Sequence, residues 1–119
     1  MSKKVLVCDD ELGIRESLKL ILGDHHRLIV TDTGAQCLEC LDKDPSIAVV
    51  LLDIKMPQVN GLDILDQIKT KHPDKKVIIV TGYKSVETAT EAVRLGASGY
   101  IVKPFKSEEI LATVRKNLG

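Results

Sequence analysis

Tryptophan is absent from this chain, and with two tyrosines and one phenylalanine the aromatics amount to only 3%. So sparse a supply of rings counts against cofactors held by stacking. Cysteines number three, too few and odd in number for a disulfide framework, which fits a reducing interior. There is no charge excess either: Lys plus Arg and Asp plus Glu are 17 each, for a formal net charge of zero. A surface devoted to nucleic acid or anionic lipid needs a basic excess, so direct binding of nucleic acid or membrane is not expected. Long hydrophobic runs are missing. The first, Val5-Leu6-Val7-Cys8, ends at Asp9; that is too short for a secretory signal, and no stretch approaches the roughly 18 apolar residues of a membrane span. The expectation is a soluble cytoplasmic chain of one domain, residues 1–119, whose 44% apolar and 29% charged residues are an ordinary globular mixture.

What the chain has is alternation. Five apolar runs (Val5–Cys8, Leu28–Val30, Ala48–Leu52, Val77–Val80 and Tyr100–Val102) are separated by stretches of helical period. Most runs are continuous, as in strands covered by helices on both faces. Ile14, Leu18, Ile21 and Leu22 make one helical stripe; Leu62, Leu65 and Ile68 another; then Val86, Ala89 and Val93, and Ile110, Val114 and Leu118. Between Gly34 and Lys43 the pattern is weaker, with Ala35, Leu38 and Leu41 as its apolar side. Gly23, Gly96 and Gly119 come after helices, Pro45 and Pro73 close others, and Ser107 before Glu108-Glu109 reads as an N-cap. Strict β-α alternation predicts an α/β fold, a parallel sheet wound with right-handed crossovers.

The strand ends carry the chemistry. The first run ends in Asp9-Asp10-Glu11, the third in Asp53, the fourth in Thr81 and the fifth in Lys103-Pro104. In an open parallel sheet these ends share one edge, where ligands bind. Crowded carboxylates repel, and a hard divalent cation such as Mg²⁺ relieves them while leaving positions for phosphate oxygens. Lys103 supplies a point charge and Thr81 a hydrogen bond for a phosphoryl group, and an Asp carboxylate can itself form an acyl phosphate. The set points to phosphoryl transfer onto an aspartate.

The runs Val7-Cys8-Asp9-Asp10-Glu11, Leu51 to Pro57 with Gly61, Val80-Thr81-Gly82, and Gly99-Tyr100 through Lys103-Pro104-Phe105 together resemble the response-regulator receiver domain of two-component signalling. The resemblance covers nearly the whole chain. It implies a doubly wound, flavodoxin-like fold of five parallel strands in the order 2-1-3-4-5 with five helices. It implies that Asp53 accepts a phosphoryl group from the phosphohistidine of a sensor histidine kinase. Asp10, Asp53 and the Lys55 carbonyl would ligate Mg²⁺, with Asp9 acting largely through water. Lys103 would pair with Asp53 and later with the phosphoryl group, Thr81 would turn its hydroxyl to the new oxygens, and Tyr100 would change exposure in response. The Lys103-Pro104 bond would be cis. The face formed by the fourth helix, fifth strand and fifth helix would then act on an output domain or partner protein, and phosphorylation could pair two copies as a homodimer. Lys55 and Tyr83, two positions past Asp53 and Thr81, would screen the acyl phosphate from water and slow its hydrolysis.

Other readings compete. A flavodoxin-like electron carrier needs a phosphate-cradling loop where this chain has Asp-Asp-Glu. A haloacid-dehalogenase-type phosphatase needs its nucleophile after the first strand and a later acidic pair. A receiver that binds partners without phosphorylation remains the runner-up. Cys37-x-x-Cys40 could suggest zinc or redox chemistry, with Cys8, His25, His26 and His72 as further ligands, but packing or incidental cysteines is the plainer reading. His25-His26-Arg27 reads as an exposed turn. Glu11 stays open between a metal residue and an acid in the first turn of a helix.

Overall fold

In the computed structural model, which describes residues 3–57 and 59–119, every apolar run is a strand. The order is β1 (Lys4–Cys8), α1 (Leu12–Leu22), β2 (Arg27–Thr31), α2 (Gly34–Lys43) and β3 (Ile47–Leu52). Two short strands come next, β4 (Lys55–Met56) and β5 (Val59–Asn60), then α3 (Gly61–Lys71). The chain continues with β6 (Lys76–Thr81), α4 (Val86–Arg94), β7 (Gly99–Val102) and α5 (Ser107–Leu118). Met1, Ser2 and Gln58 lie outside the described residues.

The main sheet has the order β2-β1-β3-β6-β7, every neighbour parallel. Counting only its own strands, this is the expected 2-1-3-4-5. The antiparallel β4-β5 ribbon, pairing Lys55 with Asn60 and Met56 with Val59, was not anticipated: two-residue strands beside a proline are too short to show a period.

Continuous apolar strands are needed because both faces are covered. Leu6, Cys8, Val50, Leu52, Val77 and Ile79 pack with Cys37 and Leu41 of α2 and Ile64, Leu65 and Ile68 of α3. The alternate residues Val5, Val7, Val49, Leu51, Ile78 and Val80 pack with Leu18 and Leu22 of α1 and Ile110 and Val114 of α5. Each such fully buried aliphatic side chain contributes about 1.5–3 kcal/mol, so the site rests on a rigid slab.

Three local expectations need correcting. On α4, Val86 and Val93 are 80% and 63% exposed, and Ala92 is the buried residue; the helix turns its small side chains to the core and its valines outward. On α2, Ala35 is exposed and Cys37 is buried in its place. Ser107 is the first residue of α5, and Lys106 holds the N-cap position without a side-chain cap. Elsewhere capping obeys the usual chemistry: Thr33, Asn60 and Ser85 accept from the backbone N–H of Gln36, Leu62 and Thr88. Gly96 ends α4 at φ +104°, a left-handed turn that a side chain would resist. Among the described residues no helix is long and apolar enough to cross a membrane.

Candidate functional site

Register brings the strand ends into line. Cys8 pairs with Leu52, Leu52 with Ile79, and Thr81 with Val102, so the polar residues just beyond share one edge. Asp9 and Asp53 are each 2% exposed, and Thr81 is fully buried. Asp10 and Glu11 are exposed.

Lys103 gathers the acids. Its Nζ lies 2.8 Å from Asp9 Oδ2, 3.0 Å from Asp53 Oδ2 and 3.1 Å from Glu11 Oε1. Burial works to lower its pKa, but hydrogen bonds to Asp9 and Asp53 and their charges outweigh that and raise it. The ammonium is therefore charged at any physiological pH. Asp9 shows the opposite balance: burial raises its pKa, although Lys103 and the Glu11 N–H pull it down.

The loops are set by their own carboxylates. Asp53 Oδ1 accepts from the Lys55 N–H at 2.8 Å, and Asp9 Oδ1 from the Glu11 N–H at 2.9 Å, two turns that hold the remaining oxygens toward the edge. The Arg15 guanidinium donates to the Asp9 carbonyl at 2.9 Å. Asp9, Asp10, Glu11 and Asp53 each place an oxygen within 4.8 Å of the others. Four acids against the Lys103 ammonium leave net negative charge, and an all-oxygen donor set suits a hard divalent cation. A cleft of about 420 Å³ opens over Asp53, walled by Asp10, Glu11, Lys55, Met56 and Gly82.

A second set of contacts leads away from the acids. The Lys103 N–H donates to the Thr81 carbonyl at 2.8 Å. The Tyr83 N–H donates to Thr81 Oγ1 at 3.4 Å, and the Tyr100 hydroxyl donates to the Tyr83 carbonyl at 2.9 Å. Thr81, Tyr83 and Tyr100 thus form one hydrogen-bonded path from the acidic edge to β7. The Lys55 ammonium sits 5.4 Å from the centre of the Tyr83 ring, and the Lys103-Pro104 bond is cis.

The residues singled out from the sequence therefore meet at one edge. Reading the sequence missed the Glu11–Lys103 contact, the Arg15 brace and the role of the Tyr83 carbonyl. Arg15, one turn into α1, was the only one with a local signal, a cation six residues past an acid. The cysteines do not join the site: Cys8 and Cys37 are fully buried core residues, and all three thiols are free.

A family model described as the response regulator receiver domain matches residues 5–115. The response regulator protein FleR of Pseudomonas aeruginosa is 34% identical over 119 residues, covering 98% of this chain and 25% of FleR. The transcriptional regulatory protein ZraR of Klebsiella oxytoca is 35% identical over 115 residues, covering 96% of this chain and 26% of ZraR. The chain thus spans about a quarter of the length of these relatives. Among solved structures, a CheY-like receiver domain protein from Methanospirillum hungatei JF-1 superposes with a TM-score of 0.93 at 29% identity, over 99% of this chain and 94% of that one.

Proposed function

This chain belongs to the response-regulator receiver domain family, and on that premise we propose that it is a switch which takes a phosphoryl group onto Asp53 from the phosphohistidine of a sensor histidine kinase. The observation that carries the reading is the placement of Asp53, buried at the end of β3, paired with Lys103 and facing an open cleft.

In the transfer an Asp53 carboxylate oxygen attacks phosphorus, the P–N bond to the donor imidazole breaks, and the ring nitrogen leaves with the bonding pair. Lys103 shifts from the carboxylate to the phosphoryl oxygens it creates. The donor set fits Mg²⁺, which Asp10, Asp53 and the Lys55 carbonyl would hold directly and Asp9 would meet through water. When bound, the ion offsets the charge on the phosphoryl oxygens.

Thr81 is the second half of the switch. Its side chain is buried at the end of β6, and a phosphoryl group on Asp53 draws its hydroxyl away from the Tyr83 N–H. The Tyr83 carbonyl holds the Tyr100 hydroxyl, so the movement passes to β7 and shifts the α4-β7-α5 face. That face carries the outward Val86 and Val93, an apolar surface suited to an output domain, a partner protein or a second phosphorylated copy. Residues 1–119 act as the receiver unit, in the cytoplasm with the kinase's phosphohistidine domain.

The test is labelling with acetyl phosphate and Mg²⁺, read by intact mass. The wild type gains one phosphoryl group, Asp53→Asn gains none, and a chelator abolishes the gain. Labelling of Asp53→Asn at the wild-type rate would falsify Asp53 as the acceptor. A wild type that takes no label favours the phosphorylation-independent binding module.

A further inference from the structure

Glu11 does not do what its position suggests. It holds the N-cap position of α1, yet its side chain makes no capping bond. Instead it crosses the edge of the sheet to Lys103, 3.1 Å away, while its own N–H is fixed to Asp9 Oδ1.

A lysine ammonium has three hydrogens to donate and no more. In this structure Lys103 has three carboxylate partners, Asp9, Asp53 and Glu11. The three differ sharply in burial: the side chains of Asp9 and Asp53 are 3% and 1% exposed, and that of Glu11 is 59% exposed. Breaking either buried pair strands a charge away from water, whereas an exposed pair separates at little cost because water solvates both ends. Glu11 therefore occupies the position on the ammonium that an incoming oxygen takes over at least cost, before Asp53 lets go. It also places a like charge beside any phosphoryl group bound there.

We propose that Glu11 is a positioning residue that latches Lys103 in the unphosphorylated domain and slows phosphoryl transfer until it is displaced. The proposal rests on Asp53 being the acceptor. The latch needs both the charge and the reach of glutamate: glutamine keeps the reach and loses the charge, and aspartate keeps the charge and stops one methylene short of Lys103.

The experiment compares phosphorylation by acetyl phosphate in wild type, Glu11→Gln, Glu11→Asp and Asp53→Asn at saturating Mg²⁺, with Mg²⁺ affinity measured separately by calorimetry. Both Glu11 variants are expected to be phosphorylated about two- to fivefold faster, the rate equivalent of one part-exposed ion pair. At saturating Mg²⁺ the rates are compared independently of Mg²⁺ affinity, which Glu11, as one of the four clustered acids, can itself alter. Three results overturn the latch: unchanged rates in both variants; acceleration by Gln alone, which is a general charge effect; or a large loss of Mg²⁺ affinity with slower labelling, which makes Glu11 a metal ligand. In each of these Asp53→Asn stays unlabelled and the receiver reading stands. Labelling that persists in Asp53→Asn instead removes that reading.

Discussion

The Lys103 ammonium lies 3.0 Å from Asp53 Oδ2 across 50 residues of chain, with Asp9 held 2.8 Å away on the same nitrogen. Two nearly buried carboxylates thus share one cation, and the cation's removal has a definite cost. Lys103→Ala leaves both acids buried and repelling, at a cost of about 3 kcal/mol to the metal-free fold. On the proposed reading Mg²⁺ binds the native state and supplies the missing charge, so it should restore part of that loss. Urea unfolding of the variant with chelator and with Mg²⁺ measures both effects. Equal stability in the two conditions would mean that no cation is bound among these acids.

Lys55, which walls the cleft over Asp53, holds its ammonium over the Tyr83 ring. A cation–π pair of this kind gains about 0.5–1 kcal/mol, and a screen of that strength slows the approach of water about two- to fivefold. The Lys55→Ala, Tyr83→Ala double variant is accordingly expected to lose phosphate faster than wild type by that factor. The decay of phosphorylated protein after removal of the donor measures it. A wild type that decays faster than the variant reverses the assignment.

Gly61 shows where the chain tolerates no side chain. A Cβ there would lie 2.2 Å from Ile54 Cα, with Ile54 Cβ and C also inside 3 Å. Ile54 is the residue directly after Asp53, so the clash reaches the acceptor loop through backbone that cannot swing aside. Gly61→Ala should cost about 2–3 kcal/mol. At Gly13 an added Cβ meets nothing within 4 Å, and Gly13→Ala should be neutral or stabilising. Urea titrations of the two variants give the contrast directly.

Asp44 closes the opposite end of the sheet. Its carboxylate meets Lys4 Nζ at 2.7 Å and accepts from Ser46 N and Oγ at 3.0 and 2.5 Å. The Lys4 hydrogen bond first, then those from Ser46, lower its pKa to about 2. A depressed folded-state pKa stabilises the fold at pH values above the ordinary carboxylate range, and that contribution is lost as pH falls through about 4 toward 2. Carboxyl NMR titration should place the Asp44 midpoint near the bottom of that window. Lys4→Ala should raise it toward an ordinary aspartate, and a midpoint unmoved by that change would remove Lys4 as the cause.

The strand order and the meeting of Asp9, Asp10, Asp53, Thr81 and Lys103 were legible because both come from period and position. Apolar runs covered on two faces are continuous, and the polar residues at their carboxyl ends land on one edge. Contacts between side chains from different loops were not legible. Glu11 reads as a helix acid first and a metal residue second, and only the fold shows that it turns to Lys103. The α4 stripe misled for a related reason: Val86, Ala89 and Val93 have helical spacing, but the residue the helix buries is Ala92, off that stripe. Apolar spacing reports amphipathicity without saying which side meets the core.

Cysteine chemistry offers the sharpest separation of pattern from environment. Cys37 and Cys40 stand at the spacing of a redox or zinc pair, but only Cys40 is partly exposed. Cys37 lies in the core, where a hydrogen bond with Cys8 and burial both push its thiol pKa far up. Cys8 in turn donates to the Thr33 carbonyl at 3.4 Å, the same oxygen that receives the Cys37 N–H. Thiolate is the reactive form, so a buried thiol held in such a chain is inert. A colorimetric thiol reagent should therefore modify Cys40 first in the native protein and reach the other two thiols only on unfolding. Cys40→Ser should leave the folded protein unreactive. A true C-x-x-C centre behaves differently: Cys37 and Cys40 would disappear together on mild oxidation, and one metal-bound pair would be protected together. Either outcome would require α2 to open, because Cys37 is a buried core residue on the helix that packs against β1 and β2.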